Sequence, residues 1–320
     1  MPAPAFIQLD RLDDRAQAEE AIAGLTALRA QVAPKFFYDS LGSRLYEAIT
    51  ETPEYYPTRT EAAIFAAHGP AIARAALAET GAAPALVDLG AGNCAKAASL
   101  FGLLRPGRYL ALDISVAFLR DALERLQREH PDLAMTGVGT DFSRRLALPN
   151  DLLGGPALVF YPGSSIGNFL PGAALRLLRE ARETAAGGAL LIGADLIKPA
   201  AVLDAAYDDA LGVTAAFNLN LLRHLNRLIG ADFAVRQWRH VAFYDPVAAR
   251  IEMHLEAREA LSVRWPGGER RFAAGERIHT EYSCKWTVAD FAALLREAGF
   301  SRVRHWTDPQ DWFGVFLAAG

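Results

Sequence analysis

The sequence is poor in cysteine and nearly balanced in charge. Only 2 of its 320 residues are cysteines, and 33 basic residues stand against 37 acidic ones, for a formal net charge of −4. Cys94 and Cys284 lie far apart without metal-ligand spacing, so we expect neither a disulfide framework nor a zinc or other metal site. The charge balance also lacks the basic footprint of nucleic-acid-binding proteins. We therefore expect no nucleic-acid partner.

Long hydrophobic runs are absent as well. Hydrophobic residues make up 52% and charged residues 22% of the chain, which is typical of a globular protein. No run approaches the ~18 apolar residues of a membrane span. The N-terminal sequence Met1-Pro-Ala-Pro has neither the basic nor the apolar region of a signal peptide. We therefore expect a cytoplasmic protein without a membrane-spanning segment, and a monomer.

One stretch, Ala85 to Lys96, combines an apolar strand, a glycine turn and the first turn of a helix. Gly90 and Gly92 carry no Cβ, so the backbone can bend sharply and approach a ligand closely. The following helix N-terminus offers N–H groups without intrahelical partners. The glycine spacing fits the dinucleotide fingerprint, and Asp113 follows about 20 residues on. This pattern alone also fits an ordinary turn between a strand and a helix.

Asp88 narrows the choice of cofactor. A carboxylate two residues before Gly90 would repel a pyrophosphate, because like charges at close range are costly. S-adenosylmethionine has no phosphate but carries a positive ammonium and a positive sulfonium. We expect Asp88 to attract that end of the molecule and Lys96 to meet its carboxylate. The stretch therefore favours the first motif of a methyltransferase over a nicotinamide oxidoreductase.

Strands alternate with helices after this point and predict a parallel sheet. Predicted strands cover Ala85–Leu89, Tyr109–Leu112, Met135–Val138, Ala157–Phe160 and Ala189–Ile192. Ligands of such sheets bind at the carboxyl ends of the strands. Four polar residues fall at or just after predicted strand ends: Asp88, Asp113, Asp141 and Asn168. Their coincidence predicts a ligand site at this edge of the sheet.

The chain is predicted to contain a second domain. Residues 197–285 interrupt the alternating pattern with a helical half and then a strand-like half, in which Ile251–Ala257 alternates strictly. Thr58 and Glu61 form a capping-box pattern for a helix of about 20 residues. We assign 59–196 and 286–320 to the cofactor-binding domain. The segments 1–58 and 197–285 are assigned to an α+β substrate-binding domain.

Six further segments carry a resemblance to a known family. They are Lys35–Ser43, Pro53–Glu61, Gly163–Asn168, Ala206–Asn218, Arg250–Met253 and Thr280–Lys285. From about Pro34 to its end, the chain resembles the L-histidine Nα-methyltransferases of ergothioneine biosynthesis. The resemblance implies trimethylation of the histidine α-amine to hercynine, with S-adenosylmethionine consumed and S-adenosylhomocysteine released. It also implies a Rossmann-like class I methyltransferase sheet, parallel with an antiparallel C-terminal strand pair.

The resemblance also implies site residues. The implied cofactor contacts are Tyr38, Gly90, Lys96, Asp113, Asp141 and Phe142, to which the reasoning above adds Asp88 and Gly92. The implied substrate pocket comprises Tyr55, Gly163, Asn168, Tyr207, Met253, Glu281 and Ser283. Within it, Asn168 and Tyr207 would hold the substrate carboxylate, while Glu281 and Ser283 would hold the imidazole, with Tyr55 at the ring. The glycine turn departs from the family pattern at Asn93 and Cys94.

Methyl transfer to an amine requires the neutral amine, so alignment and desolvation are the main tasks of the protein. Burial favours the neutral form, and we expect no dedicated general base. A hydroxyl such as Tyr38 and an amide such as Asn168 can orient the amine without favouring the ammonium. The small Gly163 leaves room for successive methyl groups. These three residues are our catalytic candidates.

Simpler interpretations of the same residues remain open. Asp113 and Asp141 could serve only as turn residues, and Asn168 could be a helix N-cap before Pro171. Glu281 could be a solvated strand residue. The remaining candidates, Tyr38, Tyr55 and Met253, could be core residues. His224, His240 and His254 show no ligand spacing and are interpreted as surface or hydrogen-bonded residues. The alternative functions are methylation of another amino acid or small amine, and a non-catalytic cofactor-binding protein.

Overall fold

The computed structural model describes residues 3–9 and 14–320. Contacts divide the chain into two compact units. The first unit contains Met1–Asp10, Pro57–Ile197 and Lys285–Gly320, and the second contains Arg11–Tyr56 and Lys198–Cys284. The second unit is thus built from a segment near the N-terminus and a long insertion in the first.

The first unit is organised around an eight-stranded sheet. Its strands are β1 (Ala5–Gln8), β2 (Ala85–Leu89), β3 (Arg108–Asp113), β4 (Ala134–Gly139), β5 (Ala157–Tyr161), β6 (Ala189–Asp195), β12 (Arg302–Thr307) and β13 (Phe313–Ala319). Their order is β1-β4-β3-β2-β5-β6-β13-β12. All neighbours are parallel except β13, which runs antiparallel to both β6 and β12. The predicted Rossmann-like class I methyltransferase fold is confirmed.

Helices connect the parallel strands, and one of them illustrates how an apolar face packs on the sheet. The helices of this unit are α3 (Tyr56–Thr80), α4 (Ala95–Ala98), α5 (Phe101–Leu104), α6 (Val116–Glu129), α7 (Asn150–Leu153), α8 (Pro171–Thr184) and α11 (Val288–Glu297). In α6, Leu119, Leu123 and Leu126 are buried in the core. The side chain of Thr287 caps α11 by accepting from the Asp290 N–H. The strands reverse order between β3-β2 and β5, which marks the ligand crevice of such sheets.

Two expectations about the N-terminal part of this unit are wrong. β1 joins the sheet edge beside β4, although the sequence pattern assigns residues 1–58 entirely to the second domain. Four residues are too few to show an alternating pattern, and only the partner strand defines this one. The capping box is also wrong, because α3 begins at Tyr56, and the side chain of Glu61 has other partners.

The second unit combines four helices with antiparallel strands among the residues described. The helices are α1 (Asp14–Thr26), α2 (Ser40–Thr50), α9 (Ala200–Tyr207) and α10 (Val213–Ile229), and the strands are β7 (Trp238–Asp245), β8 (Arg250–Ala257), β9 (Leu261–Trp265), β10 (Gly268–Phe272) and β11 (Arg277–Cys284). β11, β8 and β7 form one sheet in that order, and β9 and β10 form a hairpin.

Register places the alternating residues of β8 on one face of the three-stranded sheet. Met253 lies opposite Ala242 on β7 and opposite Glu281 on β11. Ile251 likewise lies opposite Ser283. Residues directly opposite each other in a sheet share a face, so this face carries three of the predicted substrate residues.

Candidate functional site

The glycine turn that follows β2 is held by a carboxylate from β3. Gly90 and Gly92 have φ values of +69° and +53°, a region that favours glycine. Asp113 Oδ2 accepts from the Gly92 N–H at 2.9 Å, and its Oδ1 accepts from the Ser115 N–H at 2.8 Å. Burial raises the pKa of Asp113, and this effect outweighs the hydrogen bonds from these N–H groups, which lower the pKa. Asp113 therefore shapes the turn, whatever ligand it also contacts.

Asp88 is enclosed within the sheet. Its exposed fraction is 2%, its Oδ2 accepts from the Tyr109 hydroxyl at 2.7 Å, and its Oδ1 has no hydrogen-bond partner among the described residues. Burial raises the pKa of Asp88 to about 7, the Tyr109 hydrogen bond lowers it, and the charge of Asp113 raises it further. Asp88 is therefore a buried acid with one unpartnered oxygen, and its attraction for the positive end of S-adenosylmethionine stays a prediction.

Asp141 and Phe142 follow β4, beside the same turn. Asp141 accepts from the N–H and the hydroxyl of Ser143, and the Arg144 guanidinium lies 3.8 Å away. The Phe142 ring stands edge-on to Tyr161 with centroids 5.8 Å apart. A Cβ built on Gly90 would lie 3.7 Å from that Phe142 ring. The local bonds of Asp141 are those of a turn residue, and its contact with a cofactor stays a prediction.

Glu61 is the residue that sequence reasoning missed. Its Oε2 lies 2.6 Å from Lys96 Nζ, and its Oε1 accepts from the Gly163 N–H at 2.8 Å. The Glu61 side chain is 2% exposed and that of Lys96 36%. The sequence signal for this role is the spacing of Glu61 and Ile64, which are three residues apart on the buried face of α3. A glutamate on a buried face must have a partner, because glutamate is almost never buried unpaired. Lys96, expected to meet the cofactor carboxylate, is held by Glu61.

Gly163 is constrained in three ways. Its φ of +78° is left-handed, and a Cβ built there would lie 3.0 Å from Lys96 Nζ. The Glu61 bond to its N–H fixes the peptide. The turn after β5 is therefore defined by residues on two helices, α3 and α4.

Asn168 ends a short 3-10 helix, Ser165–Asn168. The N-cap of α8 is Leu170, which makes no side-chain cap bond, so the N-cap interpretation of Asn168 is wrong. The neighbouring Ser164 Oγ accepts from the Asp195 N–H at the end of β6, at 2.8 Å. This bond fastens the segment before Asn168 to the carboxyl edge of the sheet.

In the second unit, the predicted tyrosines belong to one aromatic cluster. Tyr38 lies edge-on to Tyr46 and at an angle to Phe217, with centroids 5.8 Å away in each case. Tyr55 contacts Tyr46 at 6.4 Å and Tyr207 at 6.3 Å. Burial raises the pKa of Tyr55 well above its ordinary value, and the charge of Glu281 acts in the same direction. Tyr55 is therefore a neutral phenol at any physiological pH.

Polar groups converge beside this cluster. The Tyr207 hydroxyl donates to Ser283 Oγ at 2.7 Å, and Ser283 is 3% exposed. Glu281 is 7% exposed, so its interpretation as a solvated strand residue is wrong. The nearby cations Arg277 and Lys285 pair with other carboxylates, Glu256 at 2.8 Å and Asp195 at 2.9 Å. A buried carboxylate and two hydroxyls next to aromatic rings suit a small polar ligand with an aromatic part.

The structure thus places the candidate residues in two groups. The first unit holds Asp88, Gly90, Gly92, Lys96, Asp113, Asp141, Phe142, Gly163 and Asn168, and the second holds Tyr38, Tyr55, Tyr207, Met253, Glu281 and Ser283. No three His, Cys, Asp or Glu side chains within residues 3–9 and 14–320 are grouped to hold a metal ion. In the same part of the chain, no helix has the length and hydropathy needed to cross a membrane.

Comparison with known proteins identifies the family. The family model for S-adenosylmethionine-dependent, histidine-specific methyltransferases matches residues 17–320. The chain belongs to this family. The methyltransferase is 41% identical to the histidine N-alpha-methyltransferase of Mycolicibacterium smegmatis over 92% of each chain. It is 39% identical to that of Mycobacterium tuberculosis over 94% of each chain. It is also 30% identical to the ergothioneine biosynthesis protein 1 of Neurospora crassa, over 90% of this chain and 33% of that protein.

The residues of the first unit fit the cofactor of this family. The glycine turn leaves its backbone open to close approach, and the charges of Asp113, Glu61 and Lys96 all act on the buried Asp88. Three acidic groups thus accompany one cation, and the Oδ1 atom of Asp88 has no hydrogen-bond partner among the described residues. Such a surplus suits the ammonium and sulfonium of S-adenosylmethionine and opposes a pyrophosphate.

Replacing Asp88 with asparagine tests its buried charge. The amide oxygen of the new side chain would keep an acceptor for Tyr109, and the charge would be gone. Because burial raises the pKa of Asp88 from 3.8 to about 7, the wild type loses stability as the pH rises through this window, whereas Asp88→Asn does not. We expect the unfolding free energy of the variant, relative to the wild type, to be higher at about pH 8 than at about pH 5. Urea titrations at both pH values measure it, and a difference independent of pH would contradict it.

The two partners of the Glu61 ion pair are predicted to differ in their effect on stability. Lys96→Met leaves a buried carboxylate uncompensated, which costs ~3–5 kcal/mol, whereas Glu61→Gln leaves a lysine that reaches water. We expect Lys96→Met to lower the unfolding free energy more than Glu61→Gln, and the double variant to recover most of the loss. Glu79→Gln, which removes a surface ion pair with Arg302 from the same helix, is the control with little effect. Equal losses in the two single variants would argue against this asymmetry.

Proposed function

We propose that the methyltransferase transfers methyl groups from S-adenosylmethionine to the α-amine of L-histidine and forms hercynine, the first step of ergothioneine biosynthesis. The observation that carries the proposal is the similarity to two histidine N-alpha-methyltransferases over nine-tenths of the chain. The buried polar group of Glu281, Ser283 and Tyr207 supports it, because imidazole recognition needs hydrogen-bond partners of this kind.

The proposal assigns one ligand to each unit. S-adenosylmethionine would bind the segments 59–196 and 286–320, at the carboxyl edge of the sheet around Asp113. L-Histidine would bind the second unit, on the sheet face that carries Met253 and Glu281. Bound S-adenosylmethionine supplies an electrophilic methyl group on its sulfonium.

The protein's contribution to the reaction is to hold a neutral, aligned amine. An ammonium has no lone pair, and removal from water favours the neutral form. The candidates for orienting the amine are a hydroxyl, Tyr38, and an amide, Asn168, neither of which stabilises the ammonium as a carboxylate would. Alignment of this kind can contribute ~7–11 kcal/mol to lowering the barrier.

Imidazole recognition follows from the donors and acceptors on the sheet face. Ionised Glu281 can only accept, so it suits a ring N–H and also the imidazolium. Ser283 can both donate and accept, and the Tyr207 hydroxyl fixes its position from one side. An acceptor amino acid without a ring N–H would not supply the donor that Glu281 can receive from imidazole.

The reaction is tested by incubating the protein with S-adenosylmethionine and a mixture of the common amino acids, followed by mass spectrometry. We expect histidine to gain one, two and three methyl groups in turn, while the other amino acids stay unchanged. The mixture distinguishes histidine from other acceptors in one experiment. Methylation of a different amino acid with histidine untouched would refute the assignment.

Glu281→Gln tests the imidazole contact. We expect a loss of about 10- to 100-fold in L-histidine affinity, the range for a hydrogen bond to a charged group, with S-adenosylmethionine affinity unchanged. Isothermal titration calorimetry measures both. Glu256→Gln is the matched control, because Glu256 is a buried carboxylate on the other face of the same sheet and pairs with Arg239 and Arg277. Wild-type histidine affinity in Glu281→Gln would remove Glu281 from the pocket.

A further inference from the structure

A chain of hydrogen bonds in the second unit ends on the backbone of Tyr207. Asn218 on α10 is fully buried, and its Nδ2 lies 3.0 Å from the carbonyl oxygen of His254 on β8 and 2.8 Å from Nδ1 of His240 on β7. Nε2 of His240 lies 2.8 Å from the carbonyl oxygen of Tyr207. We call Asn218, His240 and the Tyr207 carbonyl the relay. It ties α10, β8, β7 and α9 together.

The direction of every bond in the relay is determined by its two ends. A carbonyl oxygen only accepts, so the Asn218 atom beside the His254 carbonyl must be the NH2 group. Its second hydrogen then points to Nδ1 of His240, which must be the unprotonated nitrogen. The ring proton is therefore on Nε2 and is donated to the Tyr207 carbonyl, again an acceptor only. Both ends of the relay demand the same neutral tautomer.

The relay supplies a partner that α9 lacks. Tyr207 is the last residue of α9, and the last carbonyls of a helix have no intrahelical donor. His240 provides one from the neighbouring strand and so anchors the end of the helix to the sheet. The side chain of the anchored residue is the phenol that donates to Ser283.

His240 also lies on the face of the sheet that carries the proposed pocket. It stands opposite Leu255, and the next residue on this face, Ala242, stands opposite Met253. Met253 in turn is opposite Glu281. The ring therefore reaches Tyr207 from within the row of residues that forms the pocket floor.

The surroundings of His240 keep its ring neutral. Burial lowers the pKa of His240, against the carboxylates of Asp208 and Asp209, which favour the charged ring. His254, on the adjacent strand, interacts with it as a like charge when both are protonated. Protonation would place an N–H on Nδ1 directly against the NH2 group of Asn218 and break the relay.

We propose that His240 is a positioning residue for histidine binding, which holds the end of α9 so that the Tyr207 hydroxyl stays on Ser283. This rests on the proposed function, since it assumes that Tyr207 and Ser283 belong to the histidine pocket. The sequence alone indicates only a surface or hydrogen-bonded residue at His240. The structure shows that its two ring nitrogens contact Asn218 and the Tyr207 carbonyl.

Two substitutions separate the bond to Tyr207 from the rest of the side chain. The amide nitrogen of glutamine reaches the position of Nε2, so His240→Gln keeps a donor for the Tyr207 carbonyl. The asparagine amide reaches only the position of Nδ1, so His240→Asn keeps a partner for Asn218 but loses Tyr207. We expect His240→Asn to weaken L-histidine affinity by about tenfold, the effect of one buried hydrogen bond, and His240→Gln by no more than about twofold.

Calorimetry with L-histidine on protein saturated with S-adenosylhomocysteine measures these affinities without turnover. The affinity for S-adenosylhomocysteine itself should be equal in all three proteins, which a general loss of structure would not allow. A double-mutant cycle with Tyr207→Phe gives the second measurement: in that background His240→Asn should have little further effect. Should His240→Asn fail to fold, Asn218→Ser opens the relay at its other end and is expected to weaken histidine binding likewise.

Three results would overturn the proposal. These are wild-type histidine affinity in His240→Asn, equal losses in the glutamine and asparagine variants, and a full additional loss in the Tyr207→Phe background. Failure of the wild type to bind L-histidine is a different outcome, because it contradicts the proposed function and not the relay alone.

Discussion

The buried carboxylate of Glu61 is the constraint on which the first unit's site depends. A charge removed from water must be paired and hydrogen-bonded, or the fold is destabilised by several kcal/mol. Glu61 meets this requirement with Lys96 from one turn and the Gly163 N–H from another. The helix α4 and the turn after β5 are therefore held by the same side chain. Asp113 does the same for the glycine turn from β3, through the Gly92 N–H.

The second unit buries polar and aromatic side chains side by side, with the Tyr207 hydroxyl hydrogen-bonded to Ser283. One face of its three-stranded sheet carries the polar residues Glu281 and Ser283 beside the apolar Met253. The tyrosines around Tyr55 supply ring surfaces and hydroxyls together, so polar and aromatic contacts come from the same residues. Register, more than any single side chain, determines which groups meet, because a slip of one residue would turn Glu281 and Ser283 to the other face.

The fold could be predicted from the sequence where local patterns carry the information. The buried strands of the sheet and the helix α6 follow from apolar runs and 3.6-residue spacing, and the alternation of Ile251–Ala257 predicts β8. β1 could not be predicted, because a four-residue strand is defined by its partner. Glu61 resembles a capping residue, since the pattern with Thr58 is local whereas its real partners lie 35 and 102 residues away. The role of His240 depends likewise on a carbonyl 33 residues distant.

The geometry at Gly163 has a consequence for redesigning this enzyme. Its positive φ strains any other residue at this position, and an added Cβ would displace Lys96 Nζ by a few tenths of an ångström. A substitution at Gly163 is therefore expected to cost stability through backbone strain. Met253 and Ile251 on β8 are 2% and 0% exposed, so a smaller side chain at either position would leave a cavity and lower stability. A redesign of this enzyme would therefore leave Gly163 unaltered and would conserve side-chain volume on β8.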